Sequence, residues 1–215
     1  MANWMRERLA DPQEKGSIGT TLRQRRWRMF EEQFPDIEQQ KVLDLGGTIR
    51  HWEAAPRRPA SVVVLNYLPQ DTELPGMTAI EGDACAPPPV VTTQSFDVVY
   101  SNSLIEHVGG HSRRMELASV IDSLAPRHWI QTPYRYFPVE PHWLFPGLQF
   151  LPQALRARAI RHWPLSPARP DPRGALQDVM EVELLSKTEL QFYFPQSEII
   201  AERIAGITKS LIATR

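Results

Sequence analysis

Apolar residues gather along the chain in short runs rich in β-branched side chains, each closed by a small or polar residue. The first run is Val42, Leu43 and Leu45, with Asp44 inside it and Gly46 and Gly47 directly behind it. A run of that length reads as a buried strand. The two glycines let the backbone turn sharply, with no Cβ to hold a ligand away. Asp44 stands just before the turn, where its carboxylate can reach a polar group lying over the strand end. This is the pattern of a nucleotide-type crevice at the carboxyl end of a first parallel strand. Taken alone, it also describes an ordinary strand-to-helix connection.

Further runs follow at the spacing of a doubly wound fold. Ser61 to Leu65 forms a second strand ending in Asn66, 22 residues beyond Asp44, where such folds place a ribose-binding residue. Residues 79–84 form a short third strand closed by Asp83 and Ala84, and residues 96–102 a fourth, with Ser101 near its end. Leu104, Ile105, Glu106 and His107 come next. Apolar positions 115, 117, 118, 120, 121 and 124 predict a helix over 112–125 that covers the sheet. His128 to Pro133 reads as a fifth strand, Ser186 to Leu190 as a capped helix start, and the runs at 198–204 and 208–214 as an antiparallel hairpin around Gly206. Four strands with small or polar ends would line one edge of a single sheet.

Two segments stand outside this alternation. Residues 1–38 read as helical, closed by Pro35, and carry Arg23, Arg25, Arg26 and Arg28; this is either a solvated face or a lid over an anionic acceptor. The window 126–175 holds 10 of the 20 prolines and seven arginines against two acids, with many aromatics. That is too much proline for a sheet and too much aromatic surface for a disordered linker, which argues for an ordered insertion. It starts at the crevice edge, so residues 134–175 are expected to shape an acceptor pocket; a surface flap or dimer contact is the other reading.

Composition narrows the class. A chain of 215 residues, 42% hydrophobic with net charge −1, suits one domain, residues 1–215, with a full core. It shows no global attraction to nucleic acid or anionic membranes. The single cysteine, Cys85, excludes a disulfide framework and a cysteine-based zinc site. The N-terminus lacks the apolar core of a signal peptide and no run of about 18 apolar residues occurs, so no membrane span and a cytoplasmic location are expected.

In the order of these motifs, residues 40–135 resemble the class I S-adenosylmethionine-dependent methyltransferases. The resemblance implies a Rossmann-like, doubly wound α/β fold with a seven-stranded sheet and a C-terminal antiparallel hairpin, and S-adenosylmethionine as cofactor. It implies that Asp44, Gly46 and Gly47 face the amino acid end of the cofactor, Asn66 the ribose, Asp83 and Ala84 the adenine, and Ser101 the methionine moiety. Two departures stand out: Thr48 and Ile49 follow Gly47 where the family has further glycines, and Asn66 replaces the usual acid. The stretch from Thr132 to Pro146 more loosely resembles bacterial methyltransferases of glycan and polysaccharide biosynthesis, which implies a hydroxyl of a sugar, oligosaccharide or polysaccharide precursor as acceptor.

A hydroxyl is a poor nucleophile until its proton leaves, so a positioned base adds about 10²–10⁴-fold. His142, on a loop bracketed by prolines with Glu140 two residues away, is the expected base; His107 is the second candidate, or a residue packed near the cofactor. Asp97, Glu106, His107, Glu140 and His142 could contribute to a divalent site, but no tight spacing such as His-x-x-x-His occurs and no metal is assigned. A nucleic-acid acceptor is not expected, because the basic patches are local. Two other readings stay open: a methyltransferase for a lipid, quinone or acid, and a catalytically silent scaffold with this fold. A homodimer is compatible with either.

Overall fold

A computed structural model describes residues 18–70, 74–167 and 171–215. The first helix, α1 (Ile18–Gln33), buries Trp27 and Phe30 and passes through a 3-10 turn at Ile37–Gln39 into β1 (Lys41–Leu45); residues 1–17 of the expected N-terminal helical segment lie outside the described residues. After the glycine turn comes α2 (Ile49–Glu53), whose N-cap Thr48 accepts the backbone N–H of His51 on its side-chain oxygen at 3.3 Å. The chain continues through β2 (Ser61–Asn66), β3 (Met77–Glu81), α3 (Pro89–Thr92), β4 (Val98–Asn102), α4 (Gly110–Leu124) and β5 (Arg127–Pro133). A short hairpin, β6 (Val139–Glu140) and β7 (Phe145–Pro146), leads to α5 (Gln153–His162) and α6 (Pro172–Met180). The last elements are α7 (Lys187–Tyr193), β8 (Glu198–Ile204) and β9 (Ile207–Thr214).

The seven-stranded sheet has the order β3-β2-β1-β4-β5-β9-β8. β1 to β5 are parallel, and β9 pairs antiparallel with both β5 and β8. This is the expected Rossmann-like α/β fold with a C-terminal antiparallel hairpin. The strand order reverses between β1 and β4, the switch point at whose carboxyl ends folds of this kind bind their ligands.

Alternation along β1 explains the two-sided core. Leu43 and Leu45 join α4 and α7 through Leu117, Ile121, Leu190 and Phe194 on one face. Val42, on the other face, joins Trp27, Phe30, Phe34, Trp52, Tyr100 and Trp129. Successive strand residues point to opposite faces, so Asp44 shares the aromatic face with Val42. The aromatics there meet mostly edge to face: Phe30 lies 5.3 Å from Tyr100 and 5.5 Å from Trp129 between ring centres. Such contacts add to simple area burial.

Three local differences from the sequence reading have physical causes. The third strand ends at Glu81, because its partner β2 ends at Asn66 and the Gly82 N–H bonds the Asn66 carbonyl at 3.0 Å; Asp83 and Ala84 therefore lie in the following turn. The prolines at 87–89, whose run in the sequence reads as a loop between the third and fourth strands, instead start a short helix, with Pro89 in the first turn of α3, where its missing N–H costs nothing. The 134–175 window contains two helices that its prolines conceal, with Pro152 as the N-cap of α5 and Pro172 opening α6. Their apolar sides form a third cluster, in which Ala157, Ile160, Ala175 and Val179 pack around Trp143 and Leu148.

Because Phe30 is fully buried among five aromatic rings, Phe30→Ala should destabilise the protein by about 3–5 kcal/mol in urea unfolding. A loss below about 1 kcal/mol would show that α1 does not belong to the cooperative core.

Candidate active site

The glycine turn is tightly built. Gly46 has a φ of +79° and donates its N–H to the Leu65 carbonyl at 2.8 Å. A Cβ at Gly46 would lie 2.8 Å from a methyl of Leu104, and one at Gly47 would lie 1.8 Å from the Asp44 carboxylate. Glycine is therefore required at both positions. Asp44 is fully buried; Trp52 Nε1 donates to its Oδ2 at 2.7 Å, while Oδ1 has no hydrogen-bond partner among the described residues. Burial pushes the Asp44 carboxyl up to about 7 against the opposing effect of the Trp52 bond.

The other expected cofactor residues reach the same edge, and each already braces it. Asn66 donates through Nδ2 to the carbonyls of Gly46 (3.1 Å) and Gly47 (2.7 Å) and accepts the Leu68 N–H at 3.0 Å. Its oxygen keeps one lone pair free. Asp83 accepts the Cys85 N–H at 2.8 Å and pairs with Arg113 at 2.5 Å. Burial alone would raise its carboxyl, but the Arg113 and Cys85 bonds hold it below the usual range. Ala84 is buried beside it. Ser101 is buried and donates to the Leu45 carbonyl at 3.0 Å, tying β4 to β1.

At the ends of β4 and β5 a second cluster forms. Glu140, 2% exposed, is the N-terminal anchor of its hairpin turn, accepting the backbone N–H groups of His142 (2.8 Å) and Trp143 (3.0 Å). It also meets His142 Nδ1 at 2.7 Å, as the sequence reading expects. His142 Nε2 lies 3.1 Å from Nε2 of His107, whose Nδ1 faces the Glu181 carbonyl at 3.3 Å. Burial works against a charge on His142, but the bond and charge of Glu140 outweigh it and raise its pKa above the ordinary histidine value. Burial, with the neighbouring His142, lowers that of His107.

Glu106 completes the group. It is buried, accepts Thr132 Oγ1 from β5 at 2.9 Å on Oε2, and leaves Oε1 without a partner among the described residues. Burial raises its pKa. One ligand atom from each of Glu106, His107 and His142 lies within 4.8 Å of the others.

Arg114 holds this loop in place. The buried guanidinium donates to the carbonyls of Ile105 (3.2 Å) and Glu183 (2.9 Å) and pairs with the Glu183 carboxylate at 3.0 Å. The Glu183 N–H returns a bond to the Glu106 carbonyl at 2.9 Å. Sequence reasoning singled out neither Arg114 nor the 181–183 segment. The available signal was an arginine on the apolar side of a predicted helix, three residues before Leu117. A cleft of about 340 Å³ opens beside the cluster, with Arg135, Glu140, Trp143, Gln149, Arg156 and Glu183 in its lining. That is within the usual range for small-molecule sites. Trp143 forms part of this wall and also of the apolar cluster beneath it.

No protein-family model matches the chain. No curated protein matches it either. Solved structures do share its fold. One is a possible exported protein from Bordetella parapertussis, 12% identical, with a TM-score of 0.57 over 100% of this chain and 79% of that one. Another is an S-adenosylmethionine-dependent methyltransferase from Anabaena variabilis, 10% identical, with a TM-score of 0.57 over 89% and 83% of the two chains. A third is magnesium protoporphyrin IX methyltransferase from Synechocystis with bound S-adenosylhomocysteine, 11% identical, TM-score 0.51, covering 91% and 84%. Among the described residues no helix is long and apolar enough to cross a membrane.

Asp44 supplies a test of the turn. Its folded pKa, about 7, stands above its unfolded value, so the folded state binds the extra proton. Stability from this group is full below the unfolded pKa of about 4 and declines as pH rises toward 7. The slope of melting temperature against pH between 4 and 7 should therefore be shallower downward in Asp44→Asn than in the wild type. Identical slopes would mean that Asp44 is ionised in the folded protein throughout.

Proposed function

We propose that the protein is an S-adenosylmethionine-dependent methyltransferase acting on a hydroxyl of a sugar, oligosaccharide or polysaccharide precursor in a cytoplasmic setting. The observation that carries this reading is the adjacency of two sites on one sheet edge: Leu104 packs on Gly46 of the glycine turn and stands three residues before His107 of the histidine cluster. The fold is shared with methyltransferases, one of which holds S-adenosylhomocysteine.

The turn suits such a cofactor. The buried Asp44 Oδ1, without a partner among the described residues, and the spare lone pair of Asn66 are acceptors for an amino group and a ribose hydroxyl. S-adenosylmethionine supplies a methyl group on a sulfonium, already activated for in-line displacement, so that alignment contributes on the order of 7–11 kcal/mol in favourable cases. The acceptor oxygen still needs activating, and the cluster of His142 and His107 beside Glu106 is the group placed for it. Glu140 is the positioning residue, because it fixes both the backbone and the ring of His142. The adjoining cleft, lined by Arg135, Arg156, Gln149 and Trp143, combines two guanidinium groups, a Gln149 Oε1 with no partner among the described residues and an aromatic wall, which suits a polyhydroxylated acceptor better than a purely apolar one.

Calorimetry with S-adenosylmethionine, followed by S-adenosylhomocysteine release against sugar and lipid acceptors, tests the reading. His142→Ala should lower kcat by roughly 10²-fold or more with little change in cofactor affinity. Absence of S-adenosylmethionine binding by the wild-type protein would sink the proposal, and turnover only with lipid acceptors would redirect it.

A further inference from the structure

We infer that Glu106, His107 and His142 form a site for one divalent cation of the zinc type, with Glu140 holding one of its ligands. The argument starts from hydrogen positions. The Glu181 carbonyl can only accept, so His107 Nδ1, which faces it at 3.3 Å, carries a hydrogen. The Glu140 carboxylate likewise fixes a hydrogen on His142 Nδ1 at 2.7 Å. In two neutral rings both Nε2 atoms are then bare, and their lone pairs face each other across 3.1 Å. Two lone pairs in that position require a cation between or beside them, either a shared proton or a metal ion.

Glu106 decides between the two. A proton shared by the histidines leaves the buried Glu106 Oε1 unsatisfied, at a cost usually avoided in folded proteins. A metal ion bound by both Nε2 atoms and by the Glu106 carboxylate satisfies all three groups, and one ligand atom from each of the three residues lies within 4.8 Å of the others. With zinc–nitrogen bonds of about 2.0–2.1 Å, the nitrogen separation of 3.1 Å corresponds to an angle of about 100° at the metal, near the tetrahedral value. Two imidazoles and one carboxylate favour zinc or a similar transition-metal ion over magnesium or calcium, which prefer all-oxygen sites.

The surroundings are those of a working metal site. A carboxylate on the distal ring nitrogen and a carbonyl on the other orient both rings, the usual arrangement around metal-bound histidine. Three protein ligands leave a position open, and Glu140, which holds the His142 ring, also lines the neighbouring cleft. On the reading given under Proposed function, the acceptor hydroxyl takes that position and becomes more acidic there.

Metal binding itself is measured without cofactor or acceptor. The full chain, stripped with a chelator and desalted, should bind Zn²⁺ at one equivalent by calorimetry, and Co²⁺ with the visible absorption of a four- or five-coordinate ion. His107→Ala, His142→Ala and Glu106→Gln should each weaken binding at least 10-fold, while the exposed His162→Ala leaves it unchanged. Glu140→Gln should weaken it about 10–100-fold while the cobalt spectrum keeps its form. Circular dichroism checks that each variant is folded, and the solvent-exposed His107 keeps the test valid even where the buried Glu106 variant unfolds. Absence of one-equivalent binding, or wild-type affinity in folded His107→Ala and His142→Ala, overturns the inference and leaves a proton-sharing pair. Metal binding without S-adenosylmethionine binding would keep the site and remove the methyltransferase reading.

Discussion

The constraint on which this structure depends is the burial of a parallel sheet on both faces. β1, β2 and β4 are almost wholly enclosed, with helices or aromatic side chains on each side. Within such a sheet a polar side chain has little water to meet, so chemistry is displaced to the strand ends, where the chain turns and the backbone is free. Asp44 is the exception that shows the rule. It sits one residue inside the strand, on the aromatic face, and burial pushes its carboxyl up to about 7. Ser101, in register with Leu45 on the neighbouring strand β4, survives burial by bonding the Leu45 carbonyl.

The histidine cluster depends on a different kind of support. Its members come from the loop after β4 and from the β6–β7 hairpin. Arg114 supplies rigidity from outside, tying the Ile105 carbonyl to the 183 segment with a buried guanidinium. A planar group with five donors can join several carbonyls at once, which a lysine could not. Glu140 does the same within the hairpin, gathering two backbone N–H groups and one ring nitrogen.

Much of the fold was legible because strands buried on both faces read as continuous apolar runs. Val42 to Leu45 and Ser61 to Asn66 are visible this way. The α5 and α6 helices were not, because prolines at their starts mask the Ala157/Ile160 and Ala175/Val179 spacing. The Glu140–His142 contact was legible because it is local, two residues apart. The meeting of His142 with His107 was not, since 35 residues separate them and only the docking of the hairpin onto the β4 loop brings them together. The engagement of Asn66 with the glycine-turn carbonyls was also beyond sequence reading. An amide and an acid at that position look alike in pattern, yet only the amide can donate.

The contact between Leu104 and Gly46 gives the two sites a common mechanical part. Any ligand that settles over the glycine turn bears on the same short loop that carries Glu106 and His107. If the loop shifts for one occupant, the free energy of that shift enters the binding of the other. Thermodynamic linkage then makes the effect reciprocal: the factor by which the first ligand alters the affinity of the second is the factor by which the second alters the first. A side chain with no polar atom thus becomes the part through which order of binding is set.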